Sequence, residues 1–311
     1  MNRGVDNGRN GVVECWSADT CITPTLYHSN TPPPPTSRAV SASERANLAR
    51  KHFTKCHLCH HHCGANRSSG DRGPCRTGTD ARIFSAQIEV SDELELIPTF
   101  AIAFSGCDLR CAFCITGKES WNPNAGELFN ATALAERATA ALEDGARSIM
   151  ILGGEPTIHL PHVLELVALL PDSAKLIWKT NAHGSVGARE LLDGLFDIWL
   201  ADYKFGDDRC AERLALVTNY TEVVRDNLLW ANQHSELIVR HLVMPGHVEC
   251  CWRPIANWIA ENLPTTKVNL RSGFWPAWQS RKHSELRTPV ADTESKLAFQ
   301  IAHEYGLNLI Q

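Results

Sequence analysis

The chain has 311 residues, of which 43% are hydrophobic, and a formal net charge of −5. A chain of this length can bury a sizeable core, and one large domain with appended segments fits better than two equal domains. The negative charge gives no general attraction to nucleic acid or to an anionic membrane surface. We therefore expect neither a nucleic acid nor a membrane among its partners.

The sequence also bears on the cellular compartment. No apolar run approaches the roughly 18 to 20 residues that span a bilayer, and the polar start lacks the basic-then-apolar pattern of a signal peptide. We therefore expect a cytoplasmic protein. In a reducing compartment, its twelve cysteines are more often metal ligands or buried apolar residues than disulfide partners.

Residues 1–50 are predicted to form a disordered lead. The first 45 of them are rich in Asn, Gly, Ser, Thr and Pro, include the run Pro32 to Pro35, and show no lasting apolar period. Cys15 and Cys21 in this lead have no partner at a ligand spacing.

Residues 51–95 are predicted to form a Cys/His-rich segment, which a metal or a neighbouring domain would have to organise. Its first thirty residues contain almost no aliphatic side chains that could form a core. Four thiolates at these gaps suit a closed zinc site or a second, electron-relaying iron–sulfur cluster, and either would fold such a segment. A third alternative is that no metal binds. The candidate ligands are Cys56, Cys59, Cys63 and Cys75, with His57, His60, His61 and His62 as substitutes.

Residues 96–275 alternate short apolar runs with helical patterns, and residues 276–311 add a helix and strand extension. The alternation predicts an α/β fold of parallel strands with right-handed crossovers, in a doubly wound sheet or in a full or partial barrel. The six predicted strands are TFAIAFSG, SIMILGG, KLIWKTN, DIWLADYK, ELIVRHLVM and KVNLRS.

Unusual residues follow the predicted strands at their carboxyl ends, where α/β proteins gather reactive side chains. Gly106 and Cys107 follow the first strand, and GGEPT follows the second. KTN and DYK end the third and fourth strands, and MPG follows the fifth. We therefore expect a functional site at this edge of the sheet.

Three cysteines, Cys107, Cys111 and Cys114, follow the first strand at the spacing C-x3-C-x2-C. Four thiolates complete an iron–sulfur cube, whereas three leave one iron with open coordination positions that a small molecule can occupy. Zinc could use the same thiolates but would need a fourth donor from elsewhere.

This cysteine spacing, with Phe113 before the last cysteine, resembles the signature of radical S-adenosylmethionine (SAM) enzymes. The resemblance implies a partial (βα)6 TIM-type barrel, a 4Fe-4S cluster on the three cysteines, and SAM at the open iron with Phe113 against its adenine. The segment Gly153, Gly154, Glu155 and Pro156 is similar to the family's GGEP segment, which meets the methionine amino group of SAM.

Further motifs resemble the activases of glycyl-radical enzymes. Asp202, Tyr203 and Lys204 look like the D-x-K motif that approaches the SAM ribose and carboxylate. Thr180 and Asn181 match part of a D-T-N-G segment, although Lys179 replaces its acidic residue and Ala182 and His183 stand where glycine would follow.

The strand end of Arg240 to Gly246 resembles the family's R-x-x-x-x-P-G pattern. The upstream cysteines and the segment Asn269 to Pro276 are similar to an uncharacterised branch that resembles pyruvate formate-lyase activating enzyme. The resemblance covers about residues 55 to 311. It implies SAM contacts at Phe113, Gly153, Gly154, Glu155, Pro156, Thr180, Asn181, Asp202, Lys204 and Arg240.

The family resemblance implies a radical mechanism with no catalytic side chain beyond the cluster ligands. A flavodoxin or ferredoxin-type reductant would reduce the cluster, and SAM would be cleaved to methionine and a 5′-deoxyadenosyl radical that takes hydrogen from a substrate. An activase-like substrate would be a protein glycine or a peptide. The alternatives are radical modification of a peptide or small molecule without such a partner, and a non-enzymatic iron–sulfur or zinc protein that carries electrons or binds a partner.

Other cysteines and tryptophans admit simpler interpretations. Cys210, Cys250 and Cys251 are expected to be ordinary buried residues, with the adjacent pair too close to ligate one ion comfortably. Trp275 and Trp278 are expected in the core or at an interface, with the lining of a substrate cleft as the alternative.

Overall fold

The structure is a computed structural model that describes residues 37–91 and 93–310. The strands in these ranges are β1 (Arg82–Glu89), β2 (Thr99–Phe104), β3 (Glu127–Leu128), β4 (Ser148–Gly153), β5 (Leu176–Thr180), β6 (Ile198–Asp202), β7 (Glu236–Leu242), β8 (Lys267–Arg271) and β9 (Asn308–Ile310). They form one sheet in the order β3-β1-β2-β4-β5-β6-β7-β8-β9.

The helices of the same ranges lie between these strands in the chain, except α1, which precedes β1. None of them is both long enough and apolar enough to cross a bilayer. They are α1 (Arg38–Arg50), α2 (Gly117–Trp121), α3 (Ala131–Glu143), α4 (Leu160–Val167), α5 (Val186–Leu192), α6 (Asp208–Ala215), α7 (Tyr220–His234), α8 (Arg253–Asn262) and α9 (Asp292–Glu304).

The strand β2 and the strands β4 to β9 run parallel to one another. All six predicted strands are present, as β2 and β4 to β8, with helices between them. The predicted fold class, an α/β partial barrel of the (βα)6 type, is confirmed. Because the strands are parallel, their carboxyl ends meet at one edge of the sheet.

The central strands are buried on both faces, as parallel strands covered by helices usually are. Along β4, Ile149 and Ile151 belong to the larger hydrophobic core, which the helices cover. Met150 between them belongs to a smaller core on the other face, with Ile177 of β5 and Ile238 of β7. This alternation explains why the strands appear in the sequence as continuous apolar runs.

The sheet continues past both predicted domain boundaries. Before residue 96, β1 pairs antiparallel with the predicted strand β2 and with the short β3. The sequence patterns indicated neither β1 nor β3. After residue 275, α9 leads to β9, which pairs parallel with β8. The boundaries stay predictions, and residues 37–310 pack around one sheet.

The prediction of a disordered lead is wrong for residues 38–50, which form α1. Ser37 caps this helix, because its Oγ accepts a hydrogen bond of 3.3 Å from the backbone N–H of Val40. Ala42, Ala46 and Ala49 are buried on the face that packs against α4. Small alanines among serines and arginines give little apolar signal, which is why the pattern was missed. Residues 1–36, including Cys15 and Cys21, lie outside the described residues.

Candidate active site

A cavity of about 480 Å³ opens at the carboxyl edge of the parallel strands. Its volume lies within the range of small-molecule sites, which is about 300 to 1,000 Å³. Met150 and Leu152 of β4 contribute apolar lining. The predicted site residues that line it are Cys107, Cys111, Phe113, Cys114, Gly153, Gly154, Glu155, Thr180, Asn181, Asp202, Lys204 and Arg240.

Pro156 alone among the predicted SAM contacts is not part of the cavity lining. It is buried behind Glu155, at the start of a single 3₁₀ turn, Pro156–His159. Proline suits the first position of such a turn, because that position needs no backbone N–H.

The cysteine loop, which we define as residues 106–114, follows β2 directly. Its path is held by the carboxyl end of α6, where Arg110 N–H donates to the Ala215 carbonyl at 3.0 Å and Ala112 N–H donates to the Leu214 carbonyl at 2.8 Å. Burial raises the pKa of Cys111 to about 12. A metal centre would therefore be needed to hold this sulfur as a thiolate, the form that ligates metals.

Two glycines bring the end of β4 against the cysteine loop. A Cβ on Gly153, which has φ 141°, would lie 2.2 Å from the Phe104 carbonyl oxygen. A Cβ on Gly154 would lie 2.0 Å from the Gly106 carbonyl oxygen. Both distances are far below van der Waals contact, so only glycine lets these two strand ends approach as they do.

The buried carboxylate of Glu155 joins the ends of β4 and β5. Oε1 accepts hydrogen bonds from Thr157 Oγ1 at 2.6 Å and from Thr180 Oγ1 at 2.8 Å, and Oε2 accepts one from the backbone N–H of Asn181 at 2.7 Å. Burial, and then the nearby Asp108, raise the pKa of Glu155 to about 7. The side chain therefore positions both strand ends as well as lining the cavity.

Three charged side chains meet at the ends of β6 and β7. Arg240 Nε donates to Asp202 Oδ1 at 2.7 Å, and Lys204 Nζ donates to Asp202 Oδ2. Arg240 also forms an ion pair with the buried Glu93 at 3.4 Å. Burial alone would raise the pKa of Asp202, but Arg240 and Lys204 hold it well below its ordinary value. The cluster thus keeps one carboxylate and two cations at the cavity wall.

Asp108 belongs to the cysteine loop and His183 follows β5, and the sequence patterns did not identify them as a pair. His183 Nδ1 lies 2.7 Å from Asp108 Oδ2, and Asn181 Nδ2 donates to Asp108 Oδ1 at 2.8 Å. Asn181 Nδ2 also lies 3.7 Å from Cys107 Sγ. The signal available in the sequence was position, because Asp108 directly follows Cys107 and His183 comes two residues after Asn181.

The Cys/His-rich segment packs beside this network rather than into the cavity. His60 N–H donates to the His183 carbonyl at 3.0 Å, and His61 Nε2 lies 3.1 Å from the Asp108 carbonyl. Cys56, Cys59 and Cys75 are buried and Cys63 is exposed. None of these four cysteines belongs to the cavity lining.

The sulfurs of that segment interact with one another and with a buried arginine. Cys56 interacts electrostatically with Cys63 and Cys75, and Cys59 with Cys56 and Cys75. Arg67 Nη2 lies 3.0 Å from Cys56 Sγ and 3.9 Å from Cys75 Sγ. The fold therefore brings the four predicted ligands into one neighbourhood.

The two late tryptophans differ in position. Trp275 lines the cavity and is 69% exposed, so the cleft interpretation applies to it. Trp278 is not in the lining and packs against Trp121, with ring centroids 5.8 Å apart. Trp121 itself lines the cavity, and within the described chain its buried Nε1–H has no hydrogen-bond partner.

Comparison with known proteins agrees with this geometry. Residues 102–259 match the model of the radical SAM superfamily. An uncharacterized protein of Methanocaldococcus jannaschii is 30% identical over 276 residues, which cover 86% of this chain and 79% of that protein. The 7-carboxy-7-deazaguanine synthase of Methanothermobacter thermautotrophicus is 36% identical over 107 residues, which are 34% of this chain and 41% of the enzyme.

A solved structure is similar in fold. Streptococcus suis SuiB bound to its precursor peptide SuiA matches with a TM-score of 0.51 at 17% identity, over 65% of this chain. The match spans 46% of the SuiB chain, so less than half of that protein has a counterpart here. At this level of identity the likeness concerns the fold alone.

Proposed function

This chain belongs to the radical SAM superfamily, and from that premise we propose that its cavity binds SAM against a 4Fe-4S cluster held by Cys107, Cys111 and Cys114. Family membership implies both cofactors. The observation that carries the assignment to these residues is that all three cysteines of one short loop line the same cavity.

The donor set suits such a cluster. The three sulfurs lie on one loop, and no fourth cysteine of residues 37–91 and 93–310 lines the cavity. Three thiolates leave one iron open to an external ligand. When bound and reduced, the cluster supplies the electron that cleaves SAM to methionine and a 5′-deoxyadenosyl radical, which abstracts hydrogen from the substrate.

The surrounding residues would bind and orient SAM. Asp202 is ionised beside Lys204 and Arg240, so this wall offers an acceptor for the ribose hydroxyls and cations for the carboxylate. Gly153 and Gly154, which lie close against the cysteine loop because they lack a Cβ, line the cavity and would meet the methionine end of SAM there. Phe113, packed 5.9 Å from the Phe205 ring, would offer an apolar surface to the adenine.

We extend the proposal to a second iron–sulfur cluster on Cys56, Cys59, Cys63 and Cys75. Within residues 37–91 and 93–310, no three of these four sulfurs all lie within 4.8 Å of one another. The same is true of the three sulfurs of the cysteine loop. A spacing wider than a single ion needs supports a cluster over zinc, and the Arg67 cation beside two sulfurs would offset the charge of the thiolates.

We propose that the substrate is a protein glycine or a peptide, as in an activase-like enzyme. The cavity mouth supports this, because Ile115 and Trp275 both line the cavity and are 79% and 69% exposed. Exposed apolar side chains around a polar site are typical of surfaces that bind a macromolecular segment. SuiB is itself a neighbour in fold that was solved with a peptide.

The same proposal includes a flavodoxin or ferredoxin-type reductant and a cytoplasmic location. The ten cysteines of the described chain are free, and a reducing compartment preserves such thiols for metal binding.

Product analysis tests the proposed activity. The protein would be reconstituted anaerobically with iron and sulfide, reduced with dithionite and incubated with SAM, and 5′-deoxyadenosine would be measured. We expect the product, together with a change in the electron paramagnetic resonance spectrum of the cluster when SAM is added. A cluster-replete sample that forms no 5′-deoxyadenosine, and whose electron paramagnetic resonance spectrum does not change when SAM is added, would instead indicate an electron carrier.

A further inference from the structure

Four metal-ligating side chains, Cys210, His247, Cys250 and Cys251, meet away from the cavity, and we call them the closed group. Their ligand atoms all lie within 4.8 Å of one another. Cys210 and Cys251 are buried as the sequence predicted, whereas Cys250 is partly exposed. No member of the group belongs to the cavity lining.

The local backbone explains how adjacent cysteines can share one centre. His247, Cys250 and Cys251 occupy positions i, i+3 and i+4 at the single π-helical turn Val248–Trp252. Residues at these spacings lie on the same face of a helix, and π-helical turns occur frequently at functional sites. Cys210 reaches the same point from α6.

Four of the six distances within the group match the edges of a tetrahedron around one ion, and the two from Cys210 to Cys251 and to His247 are within 4.8 Å. Zn–S bonds near 2.3 Å and Zn–N bonds near 2.0 to 2.1 Å place two sulfurs about 3.8 Å apart and a sulfur and a nitrogen about 3.6 Å apart. Here Cys250 Sγ lies 3.8 Å from Cys210 Sγ and 3.9 Å from Cys251 Sγ. His247 Nδ1 lies 3.4 Å from Cys250 Sγ and 3.6 Å from Cys251 Sγ.

The surroundings supply what a ligating histidine and three thiolates require. His247 turns Nδ1 to the sulfurs and Nε2 toward Glu285, whose Oε1 lies 3.8 Å away. A carboxylate on the far nitrogen is the usual partner of a metal-bound histidine. Arg213 pairs with Glu285 and interacts electrostatically with Cys210. The cation would thus offset the net negative charge of three thiolates around a divalent ion.

We propose that Cys210, His247, Cys250 and Cys251 bind one structural zinc ion. All four ligands come from the protein, which leaves no open position for chemistry. Binding releases the thiol protons and ties α6 to the turn after β7. Because the carboxyl end of α6 holds the cysteine loop by two backbone hydrogen bonds, the ion would also steady the loop.

Metal analysis of variants tests this site. The full-length chain would be purified anaerobically from zinc-supplemented cells, and zinc per chain would be measured for the wild type, Cys250→Ser, His247→Cys and Glu249→Gln. Cys250→Ser should contain one zinc fewer than the wild type. His247→Cys keeps four ligands and Glu249→Gln changes an exposed residue of the same turn, so both should retain the wild-type content. Equal zinc in the wild type and Cys250→Ser would overturn the proposal.

A measurement on the unaltered protein covers the case in which the variants fail to fold. Thiols would be alkylated with and without a strong zinc chelator, and labelling would be located by peptide mass spectrometry, which separates this site from the upstream cysteines. We expect Cys210, Cys250 and Cys251 to become reactive only with the chelator. Labelling that is unchanged by the chelator, or a disulfide that joins two of these cysteines, would contradict a zinc site.

Discussion

The cysteine loop after β2 and the closed group beside α6 both offer cysteine sulfurs as metal ligands, but in two different arrangements. Cys107 and Cys111 are buried to a similar extent as Cys210 and Cys251, so burial does not distinguish them. The loop's sulfurs open onto the cavity and are not spaced for a single ion, whereas the closed group has single-ion spacing and no access to the cavity. Spacing and access together, rather than residue type, separate the proposed site of chemistry from the proposed structural site.

The largest expected effect on activity comes from a substitution in the cysteine loop, whose sulfurs open onto the cavity. Cys111→Ala should abolish both the cavity cluster and 5′-deoxyadenosine formation, because two thiolates cannot replace three. Cys59→Ala should leave that cluster in place and lower reconstituted iron from about eight to about four atoms per chain. Iron analysis and product assay of both variants check this. If Cys111→Ala retains the cavity cluster, the cysteine loop is not the site that holds it, and the contrast with the closed group is wrong.

Removal of one charge at the cavity wall should have the next largest effect. Asp202→Asn leaves Arg240 and Lys204 partly buried without their shared anion, and the loss of one partner of such a pair lowers the free energy of unfolding by roughly 3 kcal/mol. We also expect weaker SAM binding and unchanged zinc.

Chemical denaturation and equilibrium SAM binding measure these changes. The matched control is Asp226→Asn, which removes an exposed carboxylate paired with Arg189 and should alter the free energy of unfolding by about 0 to 1 kcal/mol. Equal destabilisation by the two variants would count against the special role of Asp202.

Zinc binding by the closed group should depend on Glu285, the carboxylate that faces His247. Glu285→Gln removes the charge that faces His247 Nε2, and loss of such a partner weakens metal affinity by about 10- to 100-fold. Competition with a zinc chelator measures the shift. With zinc in excess, which keeps the site filled despite the weaker affinity, SAM binding should stay unchanged, and this makes the variant the reverse of Asp202→Asn. A parallel loss of SAM affinity would show that the two sites are not independent.

The smallest effect concerns the loop that joins the cavity to the Cys/His-rich segment. Ala182 has φ 57°, a left-handed conformation that favours glycine. Ala182→Gly should therefore raise the free energy of unfolding by about 0.5 to 1 kcal/mol. Chemical denaturation measures this change. A destabilised variant would mean that the methyl group makes packing contacts worth more than the backbone strain.

Much of the fold and of the candidate site could be predicted because its signals are local. Each central strand is a continuous apolar run, and Cys107, Gly153, Thr180 and Asp202 lie at or just beyond the ends of four of them. Parallel pairing brings such ends to one edge. Helix α1 was missed because its buried face consists of alanines, and β1 because only one of its eight residues, Ile83, is buried.

By itself the sequence determined the order of the central parallel strands and the helices between them, the cysteine spacing after β2 and the residues that reach the cavity edge. Only the tertiary structure decided which distant side chains meet. Asp108 pairs with His183, and Cys210 joins His247 and the two cysteines of the turn after β7. The physical reason is that periodicity along the chain specifies the faces of each element, whereas contacts between elements depend on how those faces pack.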